Sequence, residues 1–339
     1  MAFRFSPSFT NSIILGIESS CDDTAISIIS NGNILANIVA SQSVHEKWGG
    51  VVPELASRAH QANILPTIFE SLDKASVKLE ELDAIAFTQG PGLAGSLLVG
   101  MNVAKGLSIG LDIPLIGINH IQAHIAALFI EHKSIELPCL VLLASGGHTN
   151  LMIIREDYTC DVIGKTIDDA AGEAFDKGAK ILGLPYPGGP LIDKLAKEGN
   201  DSFHKFPVSN VPELNYSFSG IKTSLLYYLQ KKDKEFIELN RNHICASYQK
   251  GIVDSLFLKL NKAWKQERPK SIAIAGGVSA NSLLRSHIFD FGKEFHVSSY
   301  IPSFEYCTDN AAMISAAAAM SFGRDTYTPL EANLYTKWK

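Results

Sequence analysis

Short apolar runs of strand length alternate along this chain with polar or glycine-bearing turns and with stretches whose apolar residues recur at helical spacing. Residues 12–17 (SIILGI) read as a strand, 18–23 (ESSCDD) as a polar turn, 24–30 (TAISIIS) as a second strand and 33–41 as a third. Asn31-Gly32 between two strand-like runs is a strong hairpin signal, so the chain opens as an antiparallel meander. Residues 53–69 read as a helix with Pro53 at its first position. Residues 82–88 are a strand, and 90–100 (GPGLAGSLLVG) are a glycine-rich turn opening a helix to about residue 108. Residues 114–118 (PLIGI) form the next strand.

The plan then restarts. Residues 138–144 (PCLVLLA) are a strand, 145–148 (SGGH) a turn, and 149–155 and 159–165 two further strands. ILGIESSCDDTAISII matches CLVLLASGGHTNLMII in order: strand, polar turn, Thr, strand. Residues 271–275 lead into GGVSAN and a helix, echoing AIAFTQGPGLAG. Two halves on one plan are an internal duplication. They predict an α/β protein of two lobes, each a mixed sheet flanked by helices, with equivalent polar turns around one nucleotide cleft. Residues 167–184 read as a helix starting near Asp168, 191–199 as helical, and 225–241 as a charged helix or loop. Thr308 suits the N-cap of the last long helix, with Asp309 in its first turn. The expected division is a loose tail (1–12), a first lobe (13–130) completed by the C-terminal helix (about 308–325), a second lobe (131–307) with a helical insertion (about 195–250), and a tail (326–339).

At 339 residues the chain exceeds one ordinary core. With 46% hydrophobic and 19% charged residues it is globular. Its net charge of −5 means that nucleic acid would be held through a local patch or shared with partners. The five cysteines are odd in number and form no CxxC, which fits a reducing compartment and excludes a disulfide framework or zinc ribbon. The opening MAFRFSPSFTNS has no signal-peptide core, and residues 311–320, interrupted by Ser315, are too short to span a bilayer. A cytoplasmic protein with no membrane role is expected.

Candidate chemistry starts at residues 117–124 (GINHIQAH). Asn119 suits an N-cap, and on the helix that follows His120 and His124 share a face, one turn apart. Either they are ordinary polar residues, or they share a divalent ion. Asp309, at a helix start, suits a third ligand; Glu18 and His148, in equivalent turns, are further candidates. Two imidazoles and a carboxylate with open positions suit iron or zinc. A metalloprotease is disfavoured, because Ile121 stands where HExxH places its general base. Three glycine turns follow strands: residues 90–95, Ser145-Gly146-Gly147, and Gly276-Gly277. Glycine lets backbone N–H groups approach a phosphate. None is a P-loop or a dinucleotide fingerprint, but their corresponding places favour a nucleotide. Asn281 either bonds a base or sugar or caps its own helix. Asp193, after PYPGGP, either holds a ribose or follows a surface turn, and Asp176 belongs either to a solvated acidic face with Asp169 or to a site.

With GIESSCDDT, GGVVPELASRAH, GPGLAGSLLVG, NHIQAH, SGGHT, IDDAAGEAFDK, PYPGGP, YSFSGIKT, AGGVSAN and CTDNAAM in order, the chain resembles the tRNA adenosine threonylcarbamoyltransferases, the TsaD-type proteins once misnamed glycoprotein endopeptidases. GEAFDK and SGGHT resemble the bacterial or organellar branch. The resemblance implies the duplicated actin/sugar-kinase/heat-shock-chaperone fold. It implies transfer of threonylcarbamoyl from threonylcarbamoyl-AMP to N6 of adenine 37, in the anticodon loop of tRNAs reading codons that begin with A. Carried over, the metal ligands are His120, His124 and Asp309, with Fe2+ first and Zn2+ second. The adenylate contacts are Leu143, Ala144, Ser145, Gly146, Gly147, Asp176, Gly189, Asp193 and Asn281. Glu18 would accept the N6 proton or position the adenine. Implied partners are an inactive paralogue of the same fold and a small P-loop ATPase. The alternatives are a sugar kinase or ATPase on this fold, and a non-catalytic scaffold of a tRNA-modification complex.

Overall fold

The computed structural model describes residues 2–4, 9–42, 45, 50–322 and 327–337. Of the two expected tails, residues 1, 5–8, 326 and 338–339 lie outside the described ones, as do 323–325 at the expected end of the last helix. The N-terminal stretch expected as loose contains a short strand, β1 (Ala2–Arg4). The chain divides into two compact units, one built from Phe3–Ser134 and Pro302–Lys339, the other from Ile135–Ile301.

In the first unit β2 (Ile13–Glu18), β3 (Thr24–Ser30) and β4 (Asn33–Ala40) form the antiparallel meander. β5 (Ala84–Gly90) pairs parallel with β2, and β6 (Leu115–Asn119) parallel with β5, giving the order β4-β3-β2-β5-β6. Helix α1 (Pro53–Ala75) runs past its expected end at residue 69. Ile64, Ile68 and Leu72 continue its apolar face into the core with Leu15, Ile26 and Phe87, and this burial outweighs the helix-breaking tendency of Pro66. Helix α2 (Ala94–Leu111) is long and apolar enough to cross a membrane by length and composition, a run the sequence reading passed over; it packs on α1 and β5. Helix α3 (His120–Glu131) follows β6 directly.

In the second unit β7 (Cys139–Ala144), β8 (Thr149–Ile154) and β9 (Thr159–Lys165) are antiparallel neighbours. β10 (Ser271–Ala275) pairs parallel with β7, and β11 (Ser298–Tyr300) with β10. The order β9-β8-β7-β10-β11 repeats that of the first unit strand for strand, which bears out the duplication. The helices are α4 (Ala171–Ile181), α5 (Gly188–Ala196), α6 (Ser219–Gln230), α7 (Lys234–Leu239), α8 (Arg241–Glu267) and α9 (Ser282–Phe295).

Helix α10 (Ala311–Ser321) is the last in the chain and belongs to the first unit. It packs on α3, β2 and β3. Gly16 permits this, since a Cβ there would meet Ser315 N at 2.8 Å and Ala311 O at 2.9 Å. Ser27 Oγ donates to Ala311 O at 2.6 Å and fixes the start of the helix on the sheet.

Two helix starts differ from expectation. Asn310, rather than Thr308, caps α10, its Oδ1 accepting from Met313 N at 3.0 Å, so Asp309 stands just outside the helix. Helix α4 starts at Ala171 rather than near Asp168, because the Asp168 carboxylate turns to the start of α6. There Oδ1 accepts from Phe218 N at 2.8 Å and Oδ2 from the hydroxyls of Ser217 and Ser219, at 2.5 and 2.7 Å.

Candidate metal centre and nucleotide turns

Asn119 ends β6 and caps α3, its Oδ1 accepting from Ile121 N at 2.9 Å and Gln122 N at 3.1 Å. This cap fixes the first turn of α3, where the two histidines sit. Their rings lie 4.8 Å apart at 82°. Asp309 Oδ1 is 3.5 Å from His120 Nε2 and 3.2 Å from His124 Nε2. Three candidate ligand atoms thus lie within 4.8 Å of one another.

The three residues fit a divalent ion. Two ligand atoms each about 2.1 Å from one metal, at angles between square and tetrahedral, lie roughly 3.0–3.4 Å apart, close to the two His–Asp spacings. His124 is buried, and neither ring nitrogen makes a hydrogen bond among the described residues; the Nε2 contact with Asp309 lacks hydrogen-bond geometry. A buried imidazole in that state has an unfilled demand that a metal satisfies. The His120 and His124 side chains are 7% and 0% exposed and that of Asp309 27%, so the cluster opens on the Asp309 side.

Glu18 lies behind His120. It is completely buried, Oε1 accepting from Ser20 N at 2.5 Å and Oε2 from Thr88 Oγ1 at 2.7 Å, with His120 Nδ1 3.2 Å from Oε2. Ser20 Oγ is 3.3 Å from the same Nδ1. Burial pushes the Glu18 carboxyl up, but the charge and hydrogen bond of His120 prevail and hold it below its ordinary value. Burial likewise opposes charge on His120, and Asp309 and Glu18 together raise it well above the ordinary histidine range. Asp309, raised by burial, is carried well below the carboxylate range by the two histidines. Ser20 and Thr88 escaped the sequence reading: Thr88 reaches Glu18 only through the β2–β5 pairing, and Ser20 reaches His120 only where α3 enters. Asp23, one of the acids in ESSCDD, is pushed up to about 7 by burial, Asp22 and Asp309.

In the second unit the turn Ser145-Gly146-Gly147 leaves β7 where Ala144 pairs Thr149. Ser145 N donates to His148 O at 2.8 Å, and His148 N to Ser145 Oγ at 3.2 Å, so His148 closes this turn. A Cβ on Gly172, at the start of α4, would meet Ser145 O at 2.6 Å, so that helix end abuts the turn. Gly276 has φ +85°, and a Cβ there would meet Ala144 O at 2.5 Å, which brings the third glycine turn against the second. Gly146, Gly147 and Gly277 face open space. The turn at residues 90–95 does not: a Cβ on Gly90 would meet Tyr335 O at 2.0 Å and one on Gly92 Ser20 O at 2.5 Å, and Leu93 N already donates to Ser20 O. That turn is packed shut by the protein, which corrects its reading as a phosphate cradle.

The remaining candidates join the same region. Asp176 Oδ1 accepts from Gly188 N at 2.8 Å and Gly189 N at 3.3 Å, tying α4 to the start of α5 rather than forming an acidic face with Asp169. Asp169 instead pairs with Lys177 and Lys222. Asp193 Oδ1 accepts from Ser282 N at 3.1 Å and Ser282 Oγ at 2.7 Å. Asn281 caps α9 through Leu284 N at 3.0 Å and donates to Gln249 Oε1 at 2.8 Å. Leu143 and Ala144 are buried at the end of β7.

A model of the tRNA N6-adenosine threonylcarbamoyltransferase family matches residues 33–316. The protein of that name from Christiangramia forsetii is 54% identical over 332 residues, covering 96% of this chain and 98% of its own. That from Porphyromonas gingivalis is 49% identical over 328 residues, covering 94% and 96%. Among solved structures, HypF of T. kodakarensis aligns with a TM-score of 0.61 at 14% identity, over 94% of this chain and 48% of its own. Component A of the Acidaminococcus fermentans (R)-2-hydroxyglutaryl-CoA dehydratase aligns with a TM-score of 0.54 at 15% identity, over 91% and 95%. At such identities these structures establish the shared fold only.

Proposed function

The chain belongs to the tRNA N6-adenosine threonylcarbamoyltransferase family, and on that premise we propose that His120, His124 and Asp309 hold the divalent ion of a metal-dependent transferase. The protein transfers the threonylcarbamoyl group of threonylcarbamoyl-AMP to N6 of adenine in tRNA, releasing AMP. The acceptor is adenine 37, in tRNAs reading codons that begin with A. The observation that carries the metal reading is the buried His124 with both ring nitrogens unsatisfied beside Asp309. We take Fe2+ as the ion and Zn2+ as the alternative, the N2O donor set with open positions suiting both.

N6 of adenine is a poor nucleophile, and a divalent ion in this site would supply Lewis-acid polarisation of the carbamoyl carbonyl. Glu18 positions rather than catalyses: with its oxygens engaged by Ser20, Thr88 and His120, it fixes the Nδ1 side of the imidazole and leaves Nε2 for a metal. We assign the adenylate to the second unit. The open faces of Gly146, Gly147 and Gly277 leave room for close approach of a nucleotide to backbone, and Gly189 joins them at the start of α5. Leu143, Ala144 and Ser145 form the wall, with Asp176, Asp193 and Asn281 at the sugar and base; the bonds that tie these three side chains to Gly188, Ser282, Leu284 and Gln249 pre-organise them.

We place the protein in the cytoplasm, where its tRNA substrate is, and infer an inactive paralogue of the same fold and a small P-loop ATPase as partners. The exposed Phe69 on α1 and Ile109 on α2 offer apolar surface for such a partner. The reading is tested with His124→Ala: metal content measured on the purified variant falls to background while the fold is retained. Full occupancy would remove the pair from the site.

A further inference from the structure

A pocket of about 550 Å³ lies along α6 in the second unit, and none of the glycine turns already assigned lines it. One wall is aromatic. His204 stacks on Tyr228 with ring centroids 4.0 Å apart at 23°, and Phe206 braces His204 edge-on at 4.6 Å. Burial, together with nearby Lys232, lowers the His204 pKa, so at neutral pH the stack is uncharged. The rest of the lining is the face of α6 that carries Tyr228, from Ser219 and Thr223 to Lys231 at its C-terminal end. Tyr227, at 58% exposure, stands at the rim.

Gly220 is the informative residue. It sits in the first turn of α6, where glycine weakens a helix relative to alanine. Its φ is not positive, and a Cβ there would meet nothing within 4 Å. Neither backbone nor packing calls for glycine, so the space above it is free for something outside the chain. The α6 start itself is already capped by Asp168, which makes that end unsuited to a phosphate. At the opposite end Lys231 lines the pocket, whereas the charges of Lys232 and Lys234 are offset by Asp233, the cap of α7, and by Glu235 and Glu238. Lys232 Nζ lies 4.6 Å over the Phe236 ring and 5.6 Å from that of Tyr228. Aromatic rings with a lysine at one end of an open groove make a combination by which proteins hold unpaired nucleotides.

We propose that this pocket takes one unpaired nucleotide of the tRNA substrate, its base against the His204–Tyr228 pair and its phosphate toward Lys231. This rests on the functional reading above and locates part of the tRNA footprint.

The experiment is tRNA binding by the metal-loaded full chain, followed by fluorescence anisotropy on an unmodified transcript across a salt series, with AMP affinity from calorimetry alongside. Gly220→Leu fills the pocket without a packing clash, and Lys231→Ala removes the charge. The expected result is a tRNA Kd raised about tenfold by Gly220→Leu. Lys231→Ala should flatten the slope of log affinity against log salt by about 0.7. AMP affinity should match wild type in both variants, with Tm unchanged by Lys231→Ala and no lower than wild type in Gly220→Leu. Wild-type tRNA affinity and salt slope in both variants would overturn the proposal, as would a parallel loss of AMP affinity, which would assign the pocket to the adenylate. A wild-type chain that neither binds nor modifies tRNA would overturn the functional reading, and this proposal with it.

Discussion

Glu18 is a carboxylate with no water contact, and its value lies in what it does to His120. Substituting Gln keeps the size and the bond from Thr88 but removes the charge that orients the imidazole. Glu18→Gln is expected to weaken metal binding about 10- to 100-fold in chelator competition, with no tRNA present and the fold intact. Unchanged affinity would return Glu18 to the status of a buried turn residue. The His pair was legible in the sequence, because helical period is a local property and Asn119 announces the helix. The contact of Glu18 with His120 was not: read as a further metal-ligand candidate, a base or an adenine contact, Glu18 meets His120 only through the β2–β5–β6 pairing and the entry of α3.

At the scale of elements, Asp168 shows how a residue read as the start of one helix serves another. It supports the α6 start, and its pKa is lowered: burial opposes this, but the hydroxyls of Ser217 and Ser219 and the N–H groups of Phe218 and Ser219 prevail. A carboxyl depressed in the folded state stabilises above its unfolded value, near 3.8, and the contribution is lost as pH falls through the lower folded value. Asp168→Asn should therefore cost about 1 kcal/mol at pH 7 in denaturant unfolding, a difference that shrinks toward zero in strong acid. A constant difference at every pH would show that the carboxylate charge is irrelevant. The glycine turns behave differently from one another. Gly277→Val enters open space and should reduce AMP affinity in calorimetry at least tenfold while Tm stays within a few degrees. Gly276→Val meets Ala144 O at a positive φ and should lower the stability itself by about 1–3 kcal/mol. Strand and turn positions were legible from alternation and the Asn-Gly signal. Which glycines stay open was not, since Tyr335 and Ser20 close the turn at residues 90–95 from distant parts of the chain.

For the whole molecule, duplication was the most informative reading. Matching strand–turn–strand segments foretold two sheets of one topology, and the orders β4-β3-β2-β5-β6 and β9-β8-β7-β10-β11 repeat it. The chain divides its chemistry between the copies: the candidate metal ligands belong to the first unit, with Asp309 delivered by the returning C-terminal segment, and the open glycine turns to the second. On the proposed reading the two halves carry different functions at different strand ends, β6 in the first and β7 and β10 in the second, a divergence that composition and periodicity do not encode. The central claim is that this arrangement transfers threonylcarbamoyl to tRNA. It is tested most directly by incubating the metal-loaded full chain, with the two inferred partner proteins present, with threonylcarbamoyl-AMP and an unmodified tRNA transcript that reads codons beginning with A, then digesting the tRNA and weighing its nucleosides. The account predicts N6-threonylcarbamoyladenosine in equal amount to the AMP released, and none with His120→Ala; an unmodified transcript from the wild-type chain, or equal yield from the variant, would contradict it.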